Sequence, residues 1–339
     1  MIYPKFLKPG NTIGICAPSS GIEDNDLSYE ISLSNLKNEG YKIIETKNVR
    51  TGKTPSSDAI TRAKEFNELM QRDDIDFIYS ASGGDLLMEI LPYIDDEIIK
   101  EKISQGKAKW FAGYSDPTTL LYYLTTKYDI ATLYGTNAGS LAQNDLHICL
   151  QNALKILKGE IVKQESFDKC ERATWEEKKA NVGNGYLLNT DVCWKTPNGD
   201  VDIKGRLIGG CIDCFVFFSG TKFDYTKEFI ERYKDDGIVW YFDNFALNTY
   251  ELYSELWTLK NSGWFEYAKG FVFGRTLHEG VRSDDLSNED AIKRALGDEV
   301  PIIMDGDIGH VRPTFTLING SIAHFKSKDR KGSLEMELL

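Results

Sequence analysis

The first third of the chain alternates short apolar runs with segments whose apolar residues recur at helical spacing. The apolar runs predict strands over residues 12–17, 41–45, 77–81, 110–112 and 131–134. The helical spacing predicts helices over residues 26–38, 57–72, 86–93 and 117–127. Because strands and helices follow one another in turn, we expect a doubly wound α/β domain, with a parallel sheet covered by helices on both faces.

The pattern changes near residue 160. Residues 163–184 are polar and charged without a sustained period, and apolar segments separated by glycines follow them. These segments cover residues 205–214, 238–242, 270–273, 301–304 and 315–317, with one helical pattern over 249–262. We therefore predict an α/β domain over residues 1–162, a linker or substrate loop over 163–198, and a β-rich, barrel-like domain over 199–339.

The composition is that of a globular protein and excludes several classes. Of the 339 residues, 41% are hydrophobic and 27% are charged, which excludes collagen-like, low-complexity and wholly disordered chains. The net charge of −12 argues against a nucleic-acid partner, because phosphate binding needs clustered Lys and Arg. The sequence has no stretch of about 20 apolar residues and no apolar core of a signal peptide, so we expect a soluble, cytoplasmic protein with no membrane partner.

Six cysteines are scattered along the chain, and Cys211 and Cys214 form the one close pair, with C-x-x-C spacing. A zinc site would require a second pair or nearby His ligands, and no His lies between residues 148 and 277. We expect buried free thiols at these positions rather than a redox or metal site.

The most informative segment is the strand-to-helix junction at residues 109–121. Its apolar strand runs into Gly-Tyr-Ser-Asp at 113–116, and Pro117 suits the first position of the following helix. A serine at such a turn has its hydroxyl at the carboxyl edge of the sheet, beside backbone N–H groups that can bind an oxyanion. Two interpretations remain open: Ser115 is a nucleophile, or Ser115 or Asp116 simply caps the helix.

A second strand end carries Gly83 and Gly84 before a predicted helix. Paired glycines let backbone N–H groups approach a ligand closely, so they could supply a further oxyanion donor. An ordinary tight turn between strand and helix explains the pair equally well.

A serine nucleophile needs a general base, and the chain has four histidines. His310 leads, because it lies in a Gly- and Asp-rich loop after a predicted strand, where catalytic groups are common. His147 lies in a polar helical stretch expected at the surface, and His278 lies in a loop as a candidate substrate contact. His324 reads as a strand position.

An acid must orient the base, and Asp243 is the first candidate. It ends the apolar run of residues 238–242, where a buried carboxylate is costly unless it is paired. It could instead cap the helix that begins near Thr249, or hold a loop. Glu251 and Glu255 on that helix are rival acids that we expect to be solvated.

Taken together, these segments resemble the serine LD-carboxypeptidases (peptidase family S66), which include the microcin C self-immunity proteins. The resemblance spans nearly the whole chain as a series of short motifs in one order. The motifs are Lys8-Pro-Gly10, Ala17-Pro-Ser-Ser20, Gly83-Gly84, Leu91-Pro-Tyr-Ile-Asp95, Gly113-Tyr-Ser-Asp116, Gly205-Arg-Leu-Ile-Gly-Gly210, Ser219-Gly-Thr221, Phe273-Gly-Arg275 and Gly309-His310.

The resemblance implies a serine peptidase, a homodimer, whose N-terminal domain carries the nucleophile and whose C-terminal domain carries the acid and the base. By motif match, Ser115 is the nucleophile, His310 is the general base, and Gly84 with the Asp116 N–H forms the oxyanion hole. The third member of the triad is normally Glu, and the matching position here is Asp243. The shorter Asp requires His310 or the local backbone to come closer.

The resemblance implies no metal and no organic cofactor, and a peptide or peptidyl-nucleotide as substrate. One substrate class is a cytosolic muropeptide from which an L,D-carboxypeptidase removes a terminal D-Ala. Another is an aminoacyl-nucleotide antibiotic, cleaved by a microcin-immunity-type hydrolase. A third interpretation is a non-catalytic small-molecule-binding protein on the same fold, with a triad impaired by Asp243.

Substrate-binding candidates lie in three places. Gly83 and Arg275 belong to the shared motifs, and Trp175 lies in the 163–198 loop. Trp175 and its loop neighbours Tyr186 and Trp194 could stack on a nucleobase, or they could cover the domain junction.

Overall fold

We describe the protein from a computed structural model, which covers residues 1–277, 286–297 and 299–339. In these residues the strands are β1 (Thr12–Cys16), β2 (Lys42–Glu45), β3 (Phe77–Ser80), β4 (Trp110–Gly113), β5 (Thr132–Tyr134), β6 (Gln164–Glu165), β7 (Lys169–Cys170), β8 (Thr190–Asp191), β9 (Val201–Cys211), β10 (Ile238–Asp243), β11 (Ala268–Gly274), β12 (Ile302–Gly306), β13 (Leu317–Asn319), β14 (Ile322–Lys328) and β15 (Lys331–Glu337). The α-helices are α1 (Leu27–Asn38), α2 (Ala59–Gln71), α3 (Asp96–Ser104), α4 (Thr118–Tyr128), α5 (Ile148–Leu157), α6 (Trp175–Ala180), α7 (Thr226–Arg232), α8 (Thr249–Asn261) and α9 (Asn288–Leu296).

The first sheet confirms the predicted parallel α/β architecture. Its strand order is β13-β5-β4-β3-β1-β2, and strands β1 to β5 run parallel to their neighbours. Every residue of β1, β3, β4 and β5 is buried, as in a parallel sheet covered on both faces. Strand β13 comes from the far end of the chain and pairs antiparallel with β5.

The second sheet confirms a separate, sheet-rich C-terminal region. Its order is β12-β11-β10-β9-β14-β15-β6, with β9 to β12 parallel and the remaining pairs antiparallel. Strands β12 and β6 at the two ends of this order do not pair with each other in the described part of the chain. Strands β7 and β8 form a small antiparallel pair of their own.

Helix α4 lies between the two sheets and fixes the position of its own N-terminal turn. It packs against β4, β5 and β13 of the first sheet and against β9 of the second, and every residue except Lys127 is buried. The Thr118 hydroxyl accepts a hydrogen bond from the Cys211 backbone N–H at 2.9 Å. The turn that precedes α4 therefore meets the end of β9.

Three local features differ from the pattern-based prediction. Residues 86–93 were expected to form a helix and contain a 3₁₀ helix, Leu87–Tyr93, with Pro92 inside it. Helix α3 follows at once, although its charged sequence has little apolar period, because the Asp95 carboxylate caps it. His147, expected in a polar helical stretch, instead lies at the N-cap of helix α5, where its side chain accepts a hydrogen bond.

Among the described residues, no helix has the length and apolar character needed to cross a membrane.

Candidate active site

The junction between β4 and α4 holds Ser115 in a left-handed backbone conformation. Its φ is +70°, in a region that is costly for residues other than glycine and that clusters at functional sites. The helix N-cap is Pro117, and no side chain makes a capping hydrogen bond there. The capping interpretation of Ser115 and Asp116 is therefore wrong, and the strained serine needs another explanation.

The Asp116 carboxylate points away from the helix end and into the first domain. It accepts hydrogen bonds from the Ser19 hydroxyl and from the Leu87 N–H, the latter at 3.0 Å. Burial raises its pKa to about 6 in spite of these two donors. The side chain thereby anchors the turn, while the Asp116 backbone N–H donates to no acceptor in the described part of the chain.

The Gly83-Gly84 turn packs directly against Ser115. A Cβ on Gly83 would lie 3.0 Å from Ser115 Cβ and 3.1 Å from Ser115 Oγ. Gly84 has φ +151°, and a Cβ there would overlap the hydroxyls of Ser19 and Ser20. The Gly84 N–H, like that of Asp116, has no acceptor among the described residues, so both amides are available to an oxyanion.

Asp243 and His310 form a contact at the carboxyl end of β10. Asp243 is fully buried, and its Oδ2 lies 2.6 Å from His310 Nδ1. The Tyr134 hydroxyl, at the end of β5 in the first sheet, donates to the same Oδ2 at 2.6 Å. This is a close contact by distance, and its angle is not that of a hydrogen bond. Since Nδ1 lies on the carboxylate side of the ring, Nε2 is the imidazole nitrogen that remains for a reacting group.

Gly309 explains how an aspartate reaches the histidine. Its φ is +95°, and a Cβ at this position would overlap the Asp243 carboxylate. The loop backbone therefore comes directly against the acid, as the shorter side chain requires. Glycine is needed both for the conformation and for the close approach.

Two contacts connect the Ser115 turn to the C-terminal region, and the first of them reaches the Asp243–His310 pair directly. The ring of Tyr114 packs on the His310 ring, with centroids 5.1 Å apart. The Cys214 sulfur lies 3.9 Å from the Ser115 carbonyl oxygen. The roles of these residues in catalysis remain predictions that the geometry supports.

Arg275, a predicted substrate contact, is buried and bonded to protein groups. It pairs with the buried Asp307 at 2.5 Å and donates to the carbonyls of Val311 and Pro313 at 2.7 Å. Burial raises the pKa of Asp307, which also accepts a hydrogen bond from Trp194 Nε1 at 2.8 Å. These bonds fix the loop that carries His310, so Arg275 has the geometry of a positioning residue.

The aromatic residues of the 163–198 loop occupy different environments. Trp194 is buried against Asp307 and is not available to a nucleobase. Tyr186 packs on the ring of His147 with centroids 5.4 Å apart. Trp175, at the start of α6, is 74% exposed, so it alone of the three presents an open ring face.

The remaining histidines and rival acids lie outside the site or play structural roles. His147 is half-buried rather than on the open surface, and its Nδ1 accepts from the Cys149 N–H. His324 lies on β14, as predicted, and His278 falls outside the described residues. Glu251 forms the capping box of α8, whereas Glu255, expected to be solvated, is buried.

Cys211 lies beside the acid and the base. Its sulfur, an Asp243 oxygen and a His310 nitrogen all lie within 4.8 Å of one another, a donor set that suits a metal ion. The imidazole and carboxylate contact each other directly, however, at hydrogen-bond distance. Cys211 and Cys214 are buried thiols, as expected, and a hydrogen bond with the Cys214 sulfur together with burial raises the pKa of Cys211 well above its usual range.

Tyr134, Gly309 and Tyr114 complete this site. The sequence patterns did not single out Tyr134, and they placed Gly309 and Tyr114 in family motifs without giving them a role. Tyr134 ends a predicted strand next to the one that leads to Ser115, so the rule that functional groups follow strand ends could have found it. Nothing local in the sequence marks Gly309 as a contact of Asp243, because 66 positions of the printed sequence separate them.

Two family profiles together match most of the chain. The LD-carboxypeptidase N-terminal domain matches residues 13–135, and the LD-carboxypeptidase C-terminal domain matches residues 204–325.

Individual relatives match over nearly the full length. The chain is 25% identical over 325 residues to the microcin C7 self-immunity protein MccF of Escherichia coli, covering 92% of this chain and 89% of that protein. It is 25% identical over 329 residues to a Rickettsia conorii protein whose name proposes carboxypeptidase activity, covering 94% and 90%.

Solved structures show the same fold. MccF in complex with glutamyl sulfamoyl guanosine superposes with a TM-score of 0.80 at 22% identity, over 100% of this chain and 99% of that one. The MccF-like protein of Bacillus anthracis superposes with a TM-score of 0.78 at 21% identity, over 100% of both chains.

Proposed function

This chain belongs to the LD-carboxypeptidase family, peptidase S66, and we propose that it is a serine L,D-carboxypeptidase that removes a terminal D-amino acid from a cytosolic muropeptide. Membership of the family supports a hydrolase of the serine peptidase or amidase type. The observation that carries the proposal is the 2.6 Å contact between His310 Nδ1 and buried Asp243, beside a serine held at φ +70°.

In the proposed mechanism, His310 Nε2 takes the proton from the Ser115 hydroxyl as the oxygen attacks the carbonyl carbon before the terminal residue. The Asp243 carboxylate orients and stabilises the imidazolium, and the Tyr134 hydroxyl holds its Oδ2 in place. The negative oxygen of the tetrahedral intermediate accepts hydrogen bonds from the Gly84 and Asp116 N–H groups. By analogy with known oxyanion holes, each donor lowers the barrier by about 3–4 kcal/mol.

The intermediate collapses when His310 gives its proton to the leaving nitrogen, which breaks the peptide bond and leaves an acyl group on Ser115. Water, activated by His310, then attacks the acyl-enzyme and restores the serine. These steps use only the side chains and amides named above, and they need no metal or organic cofactor.

An aminoacyl-nucleotide is the second candidate substrate. Among the solved structures of this fold, MccF binds glutamyl sulfamoyl guanosine, and an MccF-like protein from Streptococcus pneumoniae binds AMP. In this chain, the exposed ring of Trp175 is the group that would stack on a base. The triad chemistry is the same for both substrates, so the distinction lies in the leaving group.

The test is turnover of two compounds by the purified protein: a muropeptide tetrapeptide ending in D-Ala, and an aminoacyl-sulfamoyl adenosine. We expect release of D-Ala, loss of turnover in Ser115→Ala, and little effect of Trp175→Ala on the peptide. Turnover that survives in Ser115→Ala would overturn the serine mechanism. Faster cleavage of the nucleotide compound, with a large loss in Trp175→Ala, would favour the second candidate, and no turnover of either would favour a binding protein.

We also propose that the enzyme works as a homodimer in the cytoplasm, as the family resemblance implies. Light scattering on the purified protein measures the mass directly, and a monomer at micromolar concentration would contradict the dimer.

A further inference from the structure

Arg312 is a half-buried cation with no carboxylate partner among the residues that the structure describes. Four other buried or half-buried arginines each lie within 4 Å of an acid, in the pairs Arg50–Glu45, Arg62–Glu89, Arg206–Asp236 and Arg275–Asp307. For Arg312, no carboxylate of residues 1–277, 286–297 or 299–339 lies within that distance. Its protein partners among these residues are uncharged: Nη1 donates to the Gly135 carbonyl over a long 3.4 Å, and the guanidinium interacts with the Tyr114 side chain.

The guanidinium lies one aromatic ring away from the proposed base. Its central carbon is 4.6 Å from the centre of the Tyr114 ring, and that ring lies 5.1 Å from the ring of His310. Tyr114 immediately precedes Ser115, and Gly135 follows the end of β5. Arg312 therefore lies at the same strand-end edge as the candidate triad.

The neighbouring titratable groups do not neutralise this charge. Besides Tyr114, Tyr186 and Cys149 are the ionisable groups that interact with it electrostatically. Burial raises the pKa of the Tyr186 hydroxyl well above its usual value, and burial raises the pKa of the Cys149 thiol. Both groups are neutral at pH 7. A partly desolvated guanidinium without an anion is unfavourable, so an anionic ligand has a reason to bind here.

The position of Arg312 relates it to the leaving group. Gly83, of the proposed oxyanion turn, packs on Ser115 itself, whereas Arg312 lies beyond Tyr114 with His310. In the proposed mechanism His310 delivers a proton to the leaving nitrogen, so the leaving group must lie on the His310 side. A terminal D-Ala has its carboxylate carbon two bonds from that nitrogen, and an acyl sulfamate has its sulfur one bond from it.

We infer that Arg312 is the specificity residue that binds the anion of the leaving group, either a carboxylate or a sulfamate- or phosphate-type oxyanion within two bonds of the scissile nitrogen. This inference rests on the proposed function for the position of the leaving group. The planar guanidinium presents paired N–H donors that match either kind of oxyanion, and its stacking on Tyr114 limits its rotation. The substrate would thus supply the counter-ion that the protein lacks.

The test separates binding from turnover by using the Ser115→Ala protein. Calorimetry measures its affinity for the tetrapeptide ending in D-Ala and for the same peptide with a C-terminal amide. We expect the free acid to bind roughly 10- to 100-fold more tightly than the amide, as for a charge-assisted pair. Adding Arg312→Gln should remove this preference and leave the affinity for the amide nearly unchanged, and Arg312→Lys should keep part of it.

The matched control is Arg294→Gln, since Arg294 is an exposed arginine that stacks on Tyr253 instead. It should leave the acid–amide preference unchanged. If Arg312 had a purely structural role, Arg312→Gln would weaken the binding of acid and amide equally and would lower the melting temperature of the protein. Methylguanidinium should restore acid binding to Arg312→Ala, which a packing role does not predict.

The aminoacyl-sulfamoyl adenosine is the second arm and distinguishes the source of the anion. If Arg312→Gln lowers the affinity for this compound and not for the peptide acid, the anion that Arg312 binds is the one that links the aminoacyl group to the nucleoside. The inference is overturned if the Ser115→Ala protein, which keeps Arg312, binds acid and amide with equal affinity, and if Arg312→Gln does not lower its affinity for the sulfamate. This holds even if turnover by the wild-type protein is intact. If the wild-type protein hydrolyses neither compound and the acid–amide preference persists, the proposed hydrolysis fails and the anion site stands. Binding of none of these ligands overturns both.

Discussion

Two strand-end turns build the candidate site, and they differ in which part of the molecule supplies their contacts. The Ser115 turn, between β4 and α4, takes its main contacts from the first domain, since Asp116 accepts from Ser19 and Leu87 and Gly83 packs on Ser115. The Asp243 turn, after β10, is completed by Tyr134, 109 residues away in the first sheet, and by His310 in a third loop. The nucleophile is thus positioned largely within one domain, and the acid depends on contacts between domains.

This difference predicts two kinds of failure. A change at Ser115 removes chemistry and leaves the fold, because the hydroxyl of this half-buried residue makes no hydrogen bond with the residues that the structure describes. A change around Asp243 affects chemistry and packing together, because a fully buried carboxylate needs its donors. Variants at the two turns test whether this separation holds.

The largest expected effect is that of Ser115→Ala. Removing the attacking oxygen should lower kcat by about 10⁴-fold or more, while the free energy of unfolding changes by no more than about 0.5 kcal/mol. Peptide hydrolysis and urea unfolding measure the two quantities. A large loss of stability would show that the serine also holds the turn, and would break the contrast between the two regions.

Asp243→Asn should follow, with a decrease in kcat of about 10³- to 10⁴-fold. The amide keeps an acceptor for Tyr134, but it no longer stabilises the imidazolium and it favours the wrong tautomer of His310. The matched control is Glu255→Gln, which neutralises another buried acid of the same region. If Asp243→Asn retains full kcat while Glu255→Gln or Glu251→Gln abolishes it, the acid is misassigned.

The same contrast explains what the sequence could predict. The strand before Ser115, Pro117 at the helix start and the glycines at 83–84 are local signals, so the pattern predicts a strand-to-helix turn here. The role of Ser115 as nucleophile came from the family resemblance, because helix capping explained the same pattern. His310 and Asp243 were found because loops at strand ends carry functional groups and a buried acid needs a partner. The parallel first sheet follows from the alternation of strands and helices.

Long-range pairing could not be predicted in the same way. Nothing near residue 317 indicates that β13 joins the first sheet beside β5. Arg275 matches a family motif, yet its guanidinium is used by Asp307 and the loop carbonyls. Arg312 stands out only once every neighbouring carboxylate can be located. Ion pairing and cross-sheet contacts depend on the whole fold, so local patterns carry little information about them.

Gly309→Ala tests the tertiary side of the comparison directly. A Cβ there would overlap the Asp243 carboxylate, and φ is +95°, so the loop must move away from the acid. We expect a loss of about 2–3 kcal/mol in stability and roughly a 100-fold decrease in kcat/KM. Gly199→Ala is the control, because Gly199 has φ +93° with no atom within 4 Å of the added Cβ. Gly199→Ala measures only the cost of placing alanine at a positive φ. If both changes lowered activity equally, the contact between the added Cβ and the Asp243 carboxylate would not be the cause.

The smallest expected effect concerns stability alone and separates burial from pairing. Asp243 and Glu255 are both buried, and each has one carboxylate oxygen (Oδ1 and Oε1) without a hydrogen-bond partner among the described residues, but Asp243 Oδ2 accepts from Tyr134. Burial, and then the nearby Asp213, raises the pKa of Glu255 to about 7. The folded protein then binds this proton more tightly than the unfolded chain does. Ionisation therefore destabilises the fold progressively as the pH rises from about 4.5 to 7.

Glu255→Gln should accordingly be more stable than wild type by about 3 kcal/mol at pH 8, with a difference that shrinks towards pH 4.5 and leaves kcat unchanged. Urea unfolding at several pH values measures this, with Glu251→Gln as the exposed control on the same helix. A difference that is independent of pH would mean that the carboxyl group is not the source. The expected result would show that a buried carboxyl group near another acid destabilises the fold in this region, whereas Asp243 is distinguished by its contacts with Tyr134 and His310.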